Sequence, residues 1–262
     1  MKSIEFVSSH NGAVVTIRLN VPQKRNAISL QMFRELIDFL RASESDPKLT
    51  IVVLTGTGTY FSSGNDLTNF TNAFQDPGAN LDQVIKHGAQ LVSDMVEAVA
   101  KSSKILVAKV NGHATGIMVT LLGLFDLVYA VDTAQFLTPF VQLGQSPEGA
   151  SSYTFPRMFG RGVAFETFAL QRSIRADFAC KSGLVTGIFP QGALNREVNK
   201  KVDHLATLPR ESLLATKRLI SQSFLEKVLQ ANEREIRELE ERFKSDECLE
   251  AIMAFFTKKS KL

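Results

Sequence analysis

The sequence predicts an α/β fold with a helical C-terminal portion, on three observations. Short, continuously apolar runs recur through its first half: LTIVVLTG at 49–56, ILVAKV at 105–110 and LVYAV at 127–131. Runs of that length bounded by turn residues are the pattern of strands buried on both faces of a parallel sheet. Stretches with apolar residues at helical spacing lie between them, and from about residue 160 onward the pattern reads as helical. Strands alternating with helices, followed by helices, define that class.

In chain order, GAVVTIRLN (12–20) alternates as a half-buried strand does, and VPQKRNAIS ends it with a proline and a polar turn. LQMFRELIDFLRASESD (30–46) puts Leu30, Phe33, Leu36, Ile37 and Leu40 on one helical face, closed by Asp46-Pro47. The strand at 49–56 runs into glycine-rich TGTGTYFSSGND; QDPGAN (75–80) reads as a loop and 81–101 as a helix. The longest apolar run, GIMVTLLGLFDLVYAV (116–131), contains Gly123 and Asp126. As a helix it would reach roughly 24 Å, short of a bilayer core, so it reads as a buried helix followed by a strand rather than a membrane span. NEREIRELEERFKSDE (232–247) reads as one solvated helix face with i,i+4 support such as Glu233 to Arg237. Beyond it, Leu249, Ile252, Met253, Phe255 and Phe256 cap either a neighbouring subunit or the chain's own core.

Composition excludes several classes of function. With 262 residues, 44% apolar content and 22% charge, the chain suits one large soluble domain or one domain with an appendage. A net charge of +3, with no basic stripe in the first two thirds, argues against nucleic acid. Cys180 and Cys248 form no CxxC, and His10, His87, His113 and His204 are scattered. A disulfide framework and a metal site are therefore not expected, and a reducing compartment is. MKSIEFVSSHNG lacks the apolar region of a secretory leader. The last three residues, Ser260-Lys261-Leu262, match the peroxisomal import signal that a receptor reads as a free tail, which implies the peroxisomal matrix.

Familiar chemical motifs fail on spacing. Gly56, Gly58 and Gly64 make neither GxGxxG nor a Walker loop. Ser146 is followed by proline and lies outside any GxSxG, and no second acid can be placed for glycoside chemistry. What remains is a strand, a turn of small residues and an apolar helix, at VVLTGTGTYFSSGNDL and again at ILVAKVNGHATGIMVTLLG. Gly116 would stand at the start of the second helix, where N–H groups lack partners and carry the positive end of the dipole. Two such turns facing each other would form an oxyanion hole; either alone could simply let elements pack. A third feature is GQSPEG (144–149), whose Glu148 has no charged neighbour in sequence between Asp132 and Arg157. Glu148 is either an ordinary exposed turn residue or an acid aimed into an apolar pocket.

NAIS, YFSSGNDL, VNGHATGIMVTLLGLFD and TPFVQLGQSPEGASSYTFP, in that order, resemble the crotonase (enoyl-CoA hydratase/isomerase) superfamily. SSGNDLTNF and LGQSPEGASSYTFP are most similar to its Δ3,Δ2-enoyl-CoA isomerase group, and the likeness runs from about residue 4 to the terminal SKL. Some members of that group carry an acyl-CoA-binding domain ahead of this part, and 262 residues leave no room for one. The resemblance implies a ββα spiral core over 1–200 with the CoA and catalytic site. It implies a helical region over 201–262 that makes a homotrimer. It implies transposition of the double bond of 3-enoyl-CoA to the 2-trans position, with no cofactor beyond the CoA of the substrate and no metal.

Carried over by residue, it places the oxyanion donors at the backbone N–H of Asn65 and Ile117, and the proton shuttle at Glu148. Lys24, Arg25, Asn26 and Ala27 fall where the family holds CoA. Ser63, Asp66 and Leu67 flank the thioester and the adenine side, with Gly64 and Gly116 shaping the two turns. At Thr120 the hydratases hold a second glutamate, so the resemblance favours isomerase over hydratase. An apolar pocket would raise the Glu148 pKa by desolvation and make it a stronger base once ionised. The alternatives are another crotonase-fold acyl-CoA enzyme, a hydratase or hydrolase, or a noncatalytic acyl-CoA- or RNA-binding relative. The mixed charge of LPRESLLATKRLISQSFLEK disfavours RNA.

Overall fold

A computed structural model describes residues 2–68 and 80–259. The loop expected at 75–80, apart from Asn80, and the tail Ser260-Lys261-Leu262 lie outside those residues. Strands β1 (Ile4–Ser9), β2 (Val14–Leu19), β3 (Ile51–Gly56), β5 (Ile105–Val110), β7 (Leu127–Val131) and β10 (Gly187–Phe189) form the larger sheet in that spatial order. Only the β1–β2 pair is antiparallel; the others are parallel. Strands β4 (Tyr60–Ser62), β6 (His113–Thr115), β8 (Gln135–Leu137) and β9 (Ile174–Arg175) form the smaller one.

The chain therefore climbs in repeated steps. β3, β5 and β7 each feed a short strand of the second sheet, β4, β6 and β8, before the next helix or turn. β9, β10 and these three-residue strands carry no sequence signal of their own, and β1 is an edge strand that is not among the elements expected from sequence. A two- or three-residue strand is too short to show alternation, and β9 and β10 correct the reading of the chain beyond residue 160 as helical.

The helices are α1 (Leu30–Ser43), α2 (Leu81–Lys101), α3 (Ile117–Thr120), α4 (Ser151–Phe159), α5 (Arg161–Ala169), α6 (Ala176–Lys181), α7 (Leu194–Thr207), α8 (Arg210–Gln222), α9 (Leu225–Phe243) and α10 (Asp246–Lys259). Ser29 and Asn80 start α1 and α2 by accepting the N–H of Met32 and Gln83, each three residues on. Met32, Phe33, Leu36, Ile37 and Leu40 then bury the apolar face of α1. β3, β5 and β7 are buried along nearly their whole length, as their unbroken apolar runs require.

Helix α7 crosses residue 200, and Val228, Ala231, Leu239 and Phe243 of α9 lie in the same core as the sheets. Helix α9 packs along α2, where the Asn232 amide donates to the carbonyl and hydroxyl of Ser93. The segment 232–247 is thus not one solvated face. Glu233 and Arg237 do form an exposed ion pair, yet Asn232, Glu235, Ile236, Leu239 and Phe243 are buried. In α10, Cys248 and Ile252 turn inward while Met253 and Phe255 remain exposed.

Candidate active site

Two turns are stitched together first. Arg25 and Asn26 both take left-handed backbone, and Asn26 is fully buried. Its side chain accepts the Val21 N–H at 3.0 Å and donates to the carbonyls of Thr57 and Tyr60 at 2.9 and 2.8 Å. The Ser62 hydroxyl donates to the Asn26 carbonyl and accepts the Gly64 N–H, while Ser63 N–H donates to Arg25. Ala27 closes its own turn through its N–H to the Lys24 carbonyl. The residues expected to hold CoA, 24–27, and those expected to flank the same ligand, Ser63, Asp66 and Leu67, therefore form one patch. Lys24 and Arg25 are exposed on it, Lys24 paired with Asp66 at 3.0 Å and Arg25 stacked over Tyr60, with half-buried Leu67 beside Asp66. Burial pushes the Asp66 carboxyl up, but bonds from Thr68 and Lys24 outweigh it and hold it below its ordinary value.

The two glycine turns then meet. A Cβ on Gly64 would lie 2.6 Å from the Thr115 carbonyl oxygen, so only glycine lets the turn after β4 lie against the turn after β6. Gly116, at φ 60°, starts α3 and is pinned by its N–H to Leu137. The N–H groups of Val119 and Thr120 return to the Gly116 carbonyl. Ile117, the first helical residue, has an N–H with no acceptor inside the helix. Asn65 sits on the other turn, bridged to Ile28. Asn65 and Ile117 thus follow the two glycines that make this contact.

Glu148 comes to the same place from a third element. A Cβ on Gly149 would fall 2.2 Å from the Thr120 hydroxyl and 3.4 Å from the Ile117 side chain, so its absence seats the Glu148 turn directly on α3. Thr120 is fully buried, its hydroxyl turned back to the Ile117 carbonyl at 3.1 Å. Glu148 itself is only 6% exposed, which removes the exposed-turn reading. Its one hydrogen bond among the described residues is the Ser151 hydroxyl on its backbone carbonyl, and none reaches its carboxylate. Burial, and secondarily the charge of Glu235, push it up to about 8.

Glu235 is the functional-region residue that sequence reasoning missed. Reaching in from α9, it accepts the N–H groups of Ala150 and Ser152, each at 2.7 Å, at the start of α4. Burial raises it to about 7, with those bonds and Arg234 drawing it down. Glu148 lacks a charged neighbour in sequence, but the fold supplies one of like sign. A signal did exist. Val228, Asn232, Glu235, Leu239 and Phe243 share one helical stripe, so an acid stood on the inward face. Among the described residues no group of three or more His, Cys, Asp or Glu could hold a metal, and no helix is long and apolar enough to cross a membrane.

A crotonase-like α/β spiral with a buried acid against two facing glycine turns defines the class. The enoyl-CoA hydratase/isomerase profile matches residues 9–261, and this chain belongs to that family. It is 44% identical over 251 residues to enoyl-CoA delta isomerase 2 of Rattus norvegicus, covering 96% of this chain and 63% of that protein. It therefore spans less than two thirds of that relative's length. It is 37% identical to enoyl-CoA delta isomerase 3, peroxisomal, of Mus musculus, covering 98% of this chain and 79% of the other. An enoyl-CoA hydratase/isomerase from Pseudoalteromonas atlantica T6c superposes with a TM-score of 0.87 at 32% identity, covering 98% of both chains.

Proposed function

We propose that this chain is a Δ3,Δ2-enoyl-CoA isomerase, moving the double bond of a 3-enoyl-CoA to the 2-trans position in the oxidation of unsaturated fatty acids. The observation that carries the reading is a buried carboxylate, that of Glu148, with no hydrogen bond among the described residues, seated on the helix whose first N–H is Ile117. Removing the C2 proton puts negative charge on the thioester oxygen. The N–H groups of Asn65 and Ile117 would receive that charge where it develops, aided by the start of α3. Glu148, once ionised, takes the proton from C2 and returns it at C4.

Water addition would call for a second acid on the reacting double bond. By the family resemblance Thr120 takes the position of that acid, and both oxygens of Glu235 are taken by backbone N–H groups. The printed names of the relatives, delta isomerases, support the same reaction. Lys24 and Arg25 supply exposed cations suited to the phosphates of CoA, which enters as part of the substrate; no further cofactor takes part.

The assembly is a homotrimer in the peroxisomal matrix, imported through Ser260-Lys261-Leu262. One relative's name, isomerase 3, peroxisomal, supports the address. Loss of Leu262 would leave the only cellular copy in the cytosol with activity intact, and sedimentation would show three copies.

The reaction is tested by assaying purified protein with 3-enoyl-CoA and 2-enoyl-CoA side by side. Fast isomerisation of the first with slow hydration of the second supports the reading. Fast hydration without isomerisation overturns it.

A further inference from the structure

We propose that Glu235 is a positioning residue for Glu148: its carboxylate clamps the backbone of the turn that carries Glu148 and holds a second negative charge beside it. This rests on the reading of Glu148 as the proton shuttle. The clamp is bidentate, one oxygen on Ala150 N–H and the other on Ser152 N–H, so it fixes both ends of a short arc that begins two residues after Glu148. Within that arc Ala150 is left-handed and the Ser151 hydroxyl closes back on the Glu148 carbonyl at 2.7 Å, and just before it Gly149 lies against Thr120. A buried residue with neutral acceptors could take one of those N–H groups; a carboxylate takes both and adds charge.

Among the described residues the charged groups around the pair are few. The charge of Glu235 raises Glu148, and Arg234 draws Glu235 down. Helix α2 meets α9 through Ser93 and Asn232, α3 presents Thr120, and Arg157 of α4 is stacked over Tyr153. Two like charges in one dry region cannot both ionise easily, and the N–H bonds favour ionised Glu235. Glu235 therefore takes the charge first and keeps Glu148 protonated to higher pH.

The test is Glu235→Gln in the full-length protein, with glutamate labelled with carbon-13 at Cδ and the Glu148 resonance followed against pH. The expected result is a Glu148 titration lowered by at least about half a pH unit. With it, kcat should fall roughly tenfold or more as the turn loosens, at a KM within about twofold of the parent. A folded variant whose Glu148 titration is unmoved overturns the proposal, because removing a neighbouring negative charge must lower that curve. Should the variant fail to fold, the parent decides. A Glu148 curve with an inflection at the Glu235 titration supports coupling, and a single-site curve overturns it. The resonance is read without substrate, so a parent lacking isomerase activity would count against the proposed function and not against this coupling.

Discussion

Glu148 and Glu235 are buried to almost the same degree, 6% and 4% exposed, and burial raises both above the usual carboxylate range. Their circumstances are otherwise opposite. Glu235 has two backbone N–H donors at 2.7 Å and belongs to a long helix; the Glu148 carboxylate has no hydrogen bond among the described residues and rides on a glycine turn. The comparison teaches that burial alone does not mark a proton shuttle. What singles out Glu148 as the proposed shuttle is a buried carboxylate with no hydrogen bond among the described residues, at a place where two other turns converge.

The sharpest way to break that contrast is Glu148→Gln, which keeps size but removes the base. Isomerisation should fall by about 10²–10⁴-fold while acyl-CoA affinity, measured by calorimetry on the same preparation, stays close to the parent's. Turnover near the parent's would return Glu148 to an ordinary turn residue. Next in size is Gly149→Ala. A Cβ there collides with Thr120, so Glu148 must move, and a displacement of about 1 Å is worth about a hundredfold in kcat. Unchanged kinetics would mean that the seat on α3 is incidental.

A third prediction concerns pH. The base acts only when ionised, and Glu148 is raised to about 8, so kcat/KM should climb about tenfold per pH unit and level off near pH 8. A profile flat from pH 5 upward would contradict the desolvated acid. The smallest effect is on stability. An acid whose pKa is raised by folding stabilises the protein fully below about 4.5, and that contribution is lost as pH rises through about 8. Glu148→Gln removes this loss, so its Tm by calorimetry at pH 8.5 should exceed the parent's by about 5 °C, with no such gain at pH 4.5. An equal Tm difference at both pH values would show that ionisation of Glu148 does not strain the folded state.

Much of the site is written locally. The turns NAIS, SSGND and NGHATGI and the segment GQSPEG are contiguous, and each owes its shape to glycine, proline or left-handed residues within it. Their order along the chain suffices to suggest an oxyanion hole and an acid. Asn26 shows the limit of that reading. Its place in the turn expected to hold CoA is legible, but its side chain is consumed in fastening Val21, Thr57 and Tyr60. Those partners lie up to 34 residues away, beyond any spacing rule.

By itself the sequence determined the α/β class, the major strands and helices, the glycine turns and the candidacy of Glu148. Each of these depends on the conformational preferences and apolar periodicity of neighbouring residues. Tertiary structure alone decided that Glu148 is buried rather than exposed, that Gly64 and Gly149 bring three distant turns into one place, and that Glu235 faces inward to hold the 148–152 arc. The bond from Ala150 to Glu235 spans 85 residues, and the contact exists only because α9 packs along α2 and across the start of α4. Periodicity places an acid on a stripe, but only packing determines what that stripe meets.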